Sequence, residues 1–537
     1  MLYQARSEDP SHFVLQLVAS AVACRCSRLQ VRNDELDLVV EWDGTPPPVA
    51  ALVDLYASFE TTSRDPRTRY LALGLTAAFA TGIAQLQVDT WDGRQGVRLS
   101  LSPNNQSHQL LKAEPFGGLP LAVRVRCLER SKLWALARAV KDLSSQSGGP
   151  EGAAVRQRCC WAGPDIQVDR FAIAESAAAG RCLGWAMLTP EPARPHLELR
   201  CLRPRHGLEL QEKPPVPFYA LLAFGPESWD WNGVRAMVHG VSVPNPVPLA
   251  FRDLSVLISA EEIESDVHFN SLRTTPALER ILDILNTVGA RLATDLMTRP
   301  EQIGFDQSEV AARVFEDLSH YYQRQQRQEL ALQCLQQSLL LREQVLGATH
   351  PDLVDGWSQL LELNRRIGNH SALLPIQERL IPLLRASGEN HLRKHRVAEA
   401  TALLRRALEL EEQLPEPPDN LHERYHQLAV LVKEHRLPGA EDLFQKAIAL
   451  RRVQPDASPE LELQSLYELA DRHRANRRHA EAELQARKAL ELAEKLHGEG
   501  KALVPYLKLL ADILKASNRY GEATDYESRA MLLKFKR

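Results

Sequence analysis

The sequence lacks an apolar run long enough to cross a bilayer. Its longest weakly polar stretch, Leu71 to Leu86, is 16 residues of mostly Ala, Leu, Thr and Gly, short of the ~20 a membrane helix needs. A buried helix is expected there, and no membrane partner. The opening MLYQARSEDPSHF has no basic stretch followed by an apolar one, so no secretory signal is expected. Cysteine is sparse: Cys24, Cys26, Cys127, Cys159, Cys160, Cys182, Cys201 and Cys334 make up all 8, and none forms a C-x-x-C pair. Zinc ribbons are therefore not expected, nor a disulfide framework at this density, and reduced thiols in a cytoplasmic protein are the simpler expectation. No charge sign dominates, with 65 Lys and Arg against 69 Asp and Glu and a net charge of −4. Whole-chain attraction to a polyanion is thus excluded, and nucleic acid is not an expected partner. There is no G-x-x-x-x-G-K-[ST] loop, no G-x-G-x-x-G and no G-x-S-x-G, so three common enzyme signatures are missing.

What is present is length and pattern. At 537 residues the chain holds about three or four domains. Two composition breaks divide it, SSQSGGPEGA at Ser144 to Ala153 and TRPEQIGFDQ at Thr298 to Gln307, both expected as linkers. Before the second break helical and alternating segments mix, and after it long helices rich in Leu, Ala, Arg, Glu and Gln take over. The expected organisation is α+β followed by all-α, with domains at 1–146, 154–300 and 309–537.

The last third repeats itself. Small residues in VAEA, PGAE, HAEA and GEAT fall at Ala400, Ala440, Ala482 and Ala523, spaced 40, 42 and 41 apart, and each is followed seven residues later by Ala407, Ala447, Ala489 and Ala530. Small residues at fixed helical spacing let two helices cross closely, so each period predicts a helical pair. This resembles the tetratricopeptide repeat family, and LGATHPDL at Leu346 to Leu353 looks like its kinesin-light-chain-like variety. The resemblance implies a solenoid of five or six repeats that takes a protein or peptide ligand on its inner face. Leu373 to His395 departs from it, being too short and irregular for a full pair.

In the first half, helices are expected at Phe13 to Cys26, Val49 to Phe59, Tyr70 to Ile83 and Lys132 to Leu143. Strands are expected at Glu35 to Trp42, LQVDTWD, QGVRLSLS and LPLAVRVRCL. That order resembles the GHKL group of ATPases, the ninety-kilodalton heat-shock chaperones in particular. Their first helix, F-L-R-E-L-I-S-N-A, stands as FVLQLVASA from Phe13 to Ala21, and their F-G-V-G-F-Y-S-A-Y as LALGLTAAF from Leu71 to Phe79. Their middle-domain segment V-D-S-E-D-L-P-L-N-I-S-R-E-M-L stands as ISAEEIESDVHFNSL from Ile258 to Leu272. The resemblance implies a GHKL-like α/β sandwich and a middle-type α/β domain. It also implies that the catalytic glutamate, the magnesium-holding asparagine and the phosphate-reaching arginine fall on Gln16, Ser20 and Phe269.

A glutamine amide cannot serve as a base at neutral pH, and phenylalanine brings no positive charge to a phosphate. For the adenine-reading aspartate the resemblance offers Glu41 or Asp43, and in the glycine-rich lid it keeps Gly74 but has Ala72 in place of another glycine. The expectation is an inactive ATPase-like module with no cofactor or at most weak ATP and magnesium, in a chaperone-like scaffold; the alternative is an active ATP-dependent machine.

Two further patterns need weighing. His422-Glu423-Arg424-Tyr425-His426 matches His-Glu-x-x-His, where two histidines one turn apart hold zinc. Tyr425, Leu428 and Ala429 take the inward positions of that helix, so the histidines are expected on a solvated face and no metal site is assigned. The doublets Arg365-Arg366, Arg405-Arg406, Arg451-Arg452 and Arg477-Arg478 diverge by ~100° on a helix and are expected as solvated surface rather than a basic groove.

Overall fold

The computed structural model describes residues 10–34, 37–53, 55, 65–103, 105–128, 149–173, 181–201, 203–204, 206–226, 229–304, 307–453 and 458–535. The helix expected at Lys132 to Leu143 lies outside them. Contacts divide the chain into two units, 1–338 and 339–537. The N-terminal region is β-rich and the C-terminal region helical.

The first unit opens with α1 (Phe13–Ala23), which is apolar apart from Gln16 and Ser20 and buried from Phe13 to Val22, as a helix enclosed on every side is. A hairpin follows, β1 (Arg28–Asp34) and β2 (Asp37–Trp42). After the short α2 (Val49–Val53) comes α3 (Pro66–Ala80), started by Pro66 and by Asp65, whose carboxylate accepts from Arg67 N at 3.2 Å. Strands β3 (Gln85–Trp91), β4 (Gly96–Ser102), β5 (Asn105–Leu111) and β6 (Val123–Leu128) precede α4 (Gly149–Arg158), β7 (Asp165–Val168) and β8 (Phe171–Ala172). The eight strands form one mixed sheet in the order β5-β4-β3-β6-β2-β1-β7-β8. Alternation places Leu38, Val40 and Trp42 on one face of β2 and Val39 and Glu41 on the other.

A second sheet, in the order β10-β9-β11-β14-β12-β13, is built from β9 (Arg181–Leu188), β10 (His206–Glu212), β11 (Phe218–Phe224), β12 (Gly233–Val238), β13 (Val241–Ser242) and β14 (Leu254–Ala260). Strands β11 and β14 are buried along their whole length, as apolar strands covered on both faces are. Helix α5 (Pro276–Thr298), capped by Thr275, packs on β9. Arg252, just before β14, pairs with Glu316 and Asp317 at 2.7 and 2.9 Å, and Arg313 pairs with Asp253 at 2.8 Å. These bonds fasten α6 (Ser308–Arg324), the first helix of the repeat region, to the second sheet.

Two expectations need correction here. The first linker is not continuous, because its last residues, Gly149 to Ala153, begin α4; Glu151 and Ala154 are buried, so tertiary packing overrides the Gly/Pro-rich composition. The strand expected at Glu35 to Trp42 is half of a hairpin whose other strand, β1, was not foreseen.

The helical region continues with α7 (Gln328–Leu346), α8 (Leu353–Ile367), α9 (Leu373–Arg393), α10 (Val397–Glu412), α11 (Leu421–Glu434), α12 (Ala440–Val453), α13 (Pro459–Ala475), α14 (His479–His497), α15 (Val504–Ala516) and α16 (Tyr520–Phe535). Helices pair as α9/α10, α11/α12, α13/α14 and α15/α16. Each pair turns through one residue in the left-handed region, His395, Arg436, Arg477 and Asn518, 41 residues apart. The amide after each bonds back to the carbonyl five residues earlier, from Arg396 to His391, Leu437 to Val432, Arg478 to His473 and Arg519 to Leu514, at 2.9 Å in all four. That is a helix-ending clasp that satisfies carbonyls left open at the terminus. Gln326 and Arg327 make the same turn before α7. The irregular stretch at Leu373 to His395 is one helix of 21 residues with Pro382 inside it, and it serves as the first helix of a pair with α10.

Candidate functional site

Gln16, Ser20 and Gly74 lie on α1 and α3, which pack on each other. Gly74 is needed for closeness: a Cβ there would sit 2.8 Å from Leu17 Cδ2. Ser20 Oγ donates to the Arg67 carbonyl at 2.8 Å, in the first turn of α3. Gln16 Nε2 donates to the Val267 carbonyl, so the loop between β14 and α5 reaches α1 across 251 residues of sequence.

That loop is built around Asp266. Its Oδ1 accepts from His268 N and Asn270 N at 3.0 and 2.9 Å, and its Oδ2 from Ser271 N and Oγ at 3.0 and 2.8 Å. Burial raises the carboxyl, but these donors outweigh it and hold the group below its ordinary range. The loop thereby presents Phe269, buried and at φ +54°, a backbone conformation costly for a residue with a Cβ. Its ring stacks on Tyr70 of α3 at 5.7 Å, and His239, at the β12–β13 turn, meets the same Tyr70 edge-on at 5.0 Å. From the end of α4, buried Arg158 donates to Ser242 O at 2.7 Å and Phe269 O at 2.6 Å. Burial lowers the Arg158 pKa, pushes the Tyr70 phenol up and takes His239 down to about 4. The site is a joint between the two sheets, made of three helices and two turns.

Structure therefore brings Gln16, Ser20, Gly74 and Phe269 into one neighbourhood but not Glu41. Alternation along β2 turns Glu41 to the face opposite Leu38, Val40 and Trp42. Its carboxylate is bound by Arg124 at 2.8 Å and Arg32 at 3.0 Å. Asp43 takes Ser27 N at 2.7 Å and Arg28 N at 2.9 Å on one oxygen and Ser27 Oγ at 2.5 Å on the other. Sequence reading did not single out Arg158, Tyr70, His239 or Asp266.

In the repeats the first helices α11, α13 and α15 lie side by side. Lys433 bridges to Glu468 and Asp471 at 2.5 and 2.8 Å, and Tyr467 meets Tyr506 edge-on at 5.5 Å. The histidines of His-Glu-x-x-His were expected on a solvated face, and both are buried, His422 and His426 alike. The reason is the neighbouring repeat: His426 Nδ1 lies 2.7 Å from Ser465 Oγ on α13, and its ring meets Phe444 at 5.7 Å. Among the described residues no three His, Cys, Asp or Glu side chains group to hold a metal. The arginine doublets are surface residues as expected, Arg365, Arg366, Arg406, Arg452, Arg477 and Arg478 being exposed and Arg405 and Arg451 half-buried, and three of them make surface bonds. Arg365 reaches Gln413, Arg405 reaches Gly439 O, and Arg478 reaches Glu441, at 2.7, 3.3 and 2.6 Å.

Comparisons with known proteins bear on the repeat region. The family model for the tetratricopeptide repeat matches residues 312–352 and 463–500. No curated protein matches. Among solved structures, a Podosopora anserina putative kinesin light chain with nearly identical TPR-like repeats is 20% identical, covering 41% of this chain and 94% of its own, with a TM-score of 0.24. BtubC from P. vanneervenii is 17% identical, covering 49% of this chain and 92% of its own, with a TM-score of 0.25. At such TM-scores the structural likeness carries no weight of its own. No helix among the described residues is long and apolar enough to cross a membrane. What the family model and the helical pairs agree on is that the C-terminal region carries tetratricopeptide repeats.

Proposed function

We propose that the chain is a cytoplasmic protein-binding adaptor: a degenerate GHKL-like domain (1–146) and a middle-type α/β domain (154–300) carrying a repeat array (309–537) that takes the client. Repeat arrays stack helical pairs into extended surfaces suited to protein ligands, and the repeat match supports that half of the reading.

For the other half, the observation that carries it is the Gln16–Val267 bond with Phe269 seated on Tyr70. The residues present do not suit a nucleotide with magnesium. The Nε2 of Gln16 donates to a backbone carbonyl, Gly74 packs against Leu17, and both oxygens of Asp43 are engaged in a turn. No charged side chain stands where Phe269 does. Such a site works as a hinge pin rather than a reaction centre, and we derive no chemical step from it. Calorimetric titration of magnesium–ATP into the intact chain tests the reading. No saturable heat up to millimolar nucleotide is expected; saturable binding that Gln16→Ala removes would establish a nucleotide pocket here and contradict the reading.

A further inference from the structure

On the face of the second sheet opposite α5, four hydrogen-bond donors gather with no acceptor. Leu254 of β14 packs against Gly289 of α5, so by alternation Leu257 faces the other way, and with it Arg235, its register partner on β12. There the Arg235 guanidinium lies 3.9 Å from the Trp231 ring centre and 5.8 Å from that of Trp161. Trp231 stacks on Trp229 at 4.8 Å and meets Trp161 edge-on at 5.7 Å. Ser255 Oγ fixes the segment by donating to the Trp231 carbonyl at 2.5 Å, and the Trp161 carbonyl accepts from Arg200 N at 3.1 Å. All three indoles are more than nine-tenths buried, at 7–8% exposure, and Arg235 is half-buried. The Nε1 atoms of Trp161, Trp229 and Trp231 and the Nε of Arg235 are enclosed, and none meets an acceptor among the described residues. Indole and guanidinium nitrogens only donate, so these groups cannot satisfy one another. Asp230, the neighbouring carboxylate, is exposed and acts on Arg235 only at a distance, and burial lowers the Arg235 pKa more than Asp230 and Cys160 raise it.

We propose that these four donors form a binding site for one small anion of halide size, set between the chain that follows α4 and strand β12. Trp231 is its centre, since the other three groups all lie within 5.7 Å of that ring. An acceptor-only ligand supplies what every one of the four lacks, and a negative one also offsets a guanidinium held out of water without a partner, which is otherwise destabilising. Its bonds to Arg235 are charge-assisted and therefore strong. Stacking on Trp231 favours the cation and keeps it flat against the ring, which leaves the edge of the guanidinium, where Nε stands, to meet the ligand. The rings also set the size. With every indole nitrogen enclosed, an anion carrying an organic substituent would have to place that substituent where the rings pack, whereas a single-atom anion brings none. Occupancy has a structural consequence as well. Trp161 stands three residues beyond Arg158, whose bonds to Ser242 O and Phe269 O hold the joint, so the anion ties the same stretch of chain to β12 and stabilises the joint from its flank.

Thermal unfolding of the intact chain over about 1–300 mM chloride, with gluconate holding the ionic strength constant, tests this. The Tm is expected to climb with chloride and saturate, with bromide acting as chloride does and acetate leaving the Tm where it was. Arg235→Gln, and Trp161→Phe, which keeps a ring and removes its N–H, are each expected to weaken the apparent chloride affinity at least tenfold. Arg203→Gln, at an exposed arginine of the same unit, is expected to leave it unchanged. Far-UV circular dichroism checks that each variant folds, and the milder Trp161→Phe decides alone where Arg235→Gln does not. A Tm indifferent to chloride, a response that acetate reproduces, one that Trp161→Phe leaves intact, or equal loss in Arg203→Gln would overturn the proposal.

Discussion

Asp43 shows how one side chain can carry a resemblance and a structural duty at once. Its bonds hold the turn from α1 into β1, so Asp43→Ala is expected to cost about 1–2 kcal/mol, measured by urea unfolding, whether or not nucleotide is present. His239 supplies a pH dependence. Its pKa falls from 6.5 unfolded to about 4 folded because burial disfavours the imidazolium. The neutral ring's contribution is complete above pH 6.5 and is lost as pH falls toward 4, by up to about 3 kcal/mol. Thermal melts at pH 7.5 and 4.5 should narrow their difference in His239→Phe; an equal difference in the variant would refute the assignment. Gln16 and Phe269 were singled out in the sequence only through the resemblance, as positions of a nucleotide site and not as parts of a joint. Arg158 was not, because it stands beside a segment of linker composition and its partners are backbone carbonyls, which leave no trace in a sequence.

At the scale of elements, close helix crossings were the readable feature. Ala400, Ala440, Ala482 and Ala523 are all buried, and the need for small residues there is what makes the period visible. Gly388 is the same kind of position: a Cβ would lie 2.8 Å from Leu404 Cγ. Gly388→Val is expected to destabilise the α9/α10 pair by about 1–3 kcal/mol, read as a lowered Tm, with Gly368→Ser at the open end of α8 as a milder comparison. The turns were harder to see, since His395, Arg436, Arg477 and Asn518 adopt a conformation that usually announces itself by glycine. Strand β5, NQSHQLL, is a mostly exposed edge strand with no clean apolar alternation, which is why it was missed. The two histidines of α11 were misplaced for a different reason: an amphipathic reading supplies one buried stripe, whereas a solenoid helix is packed by its own repeat and by the next.

Over the whole molecule the account turns on the joint in the first unit. Helices α1, α3 and α4 of the first sheet grip a loop and a turn of the second through Gln16, Tyr70 and Arg158. Arg158→Ala leaves two buried carbonyls without a donor and is expected to cost about 2–4 kcal/mol, followed by calorimetric melting of the intact chain. The division into α/β and repeat regions was legible from composition, and the joint was not, because it is made by segments more than a hundred residues apart whose meeting no local pattern records. Hydrogen exchange on the intact chain, with and without millimolar magnesium–ATP, tests the joint most directly. The account predicts slow exchange in residues 13–23, 66–80 and 264–272 that nucleotide leaves unchanged. Nucleotide-dependent protection or opening of those same segments would contradict it.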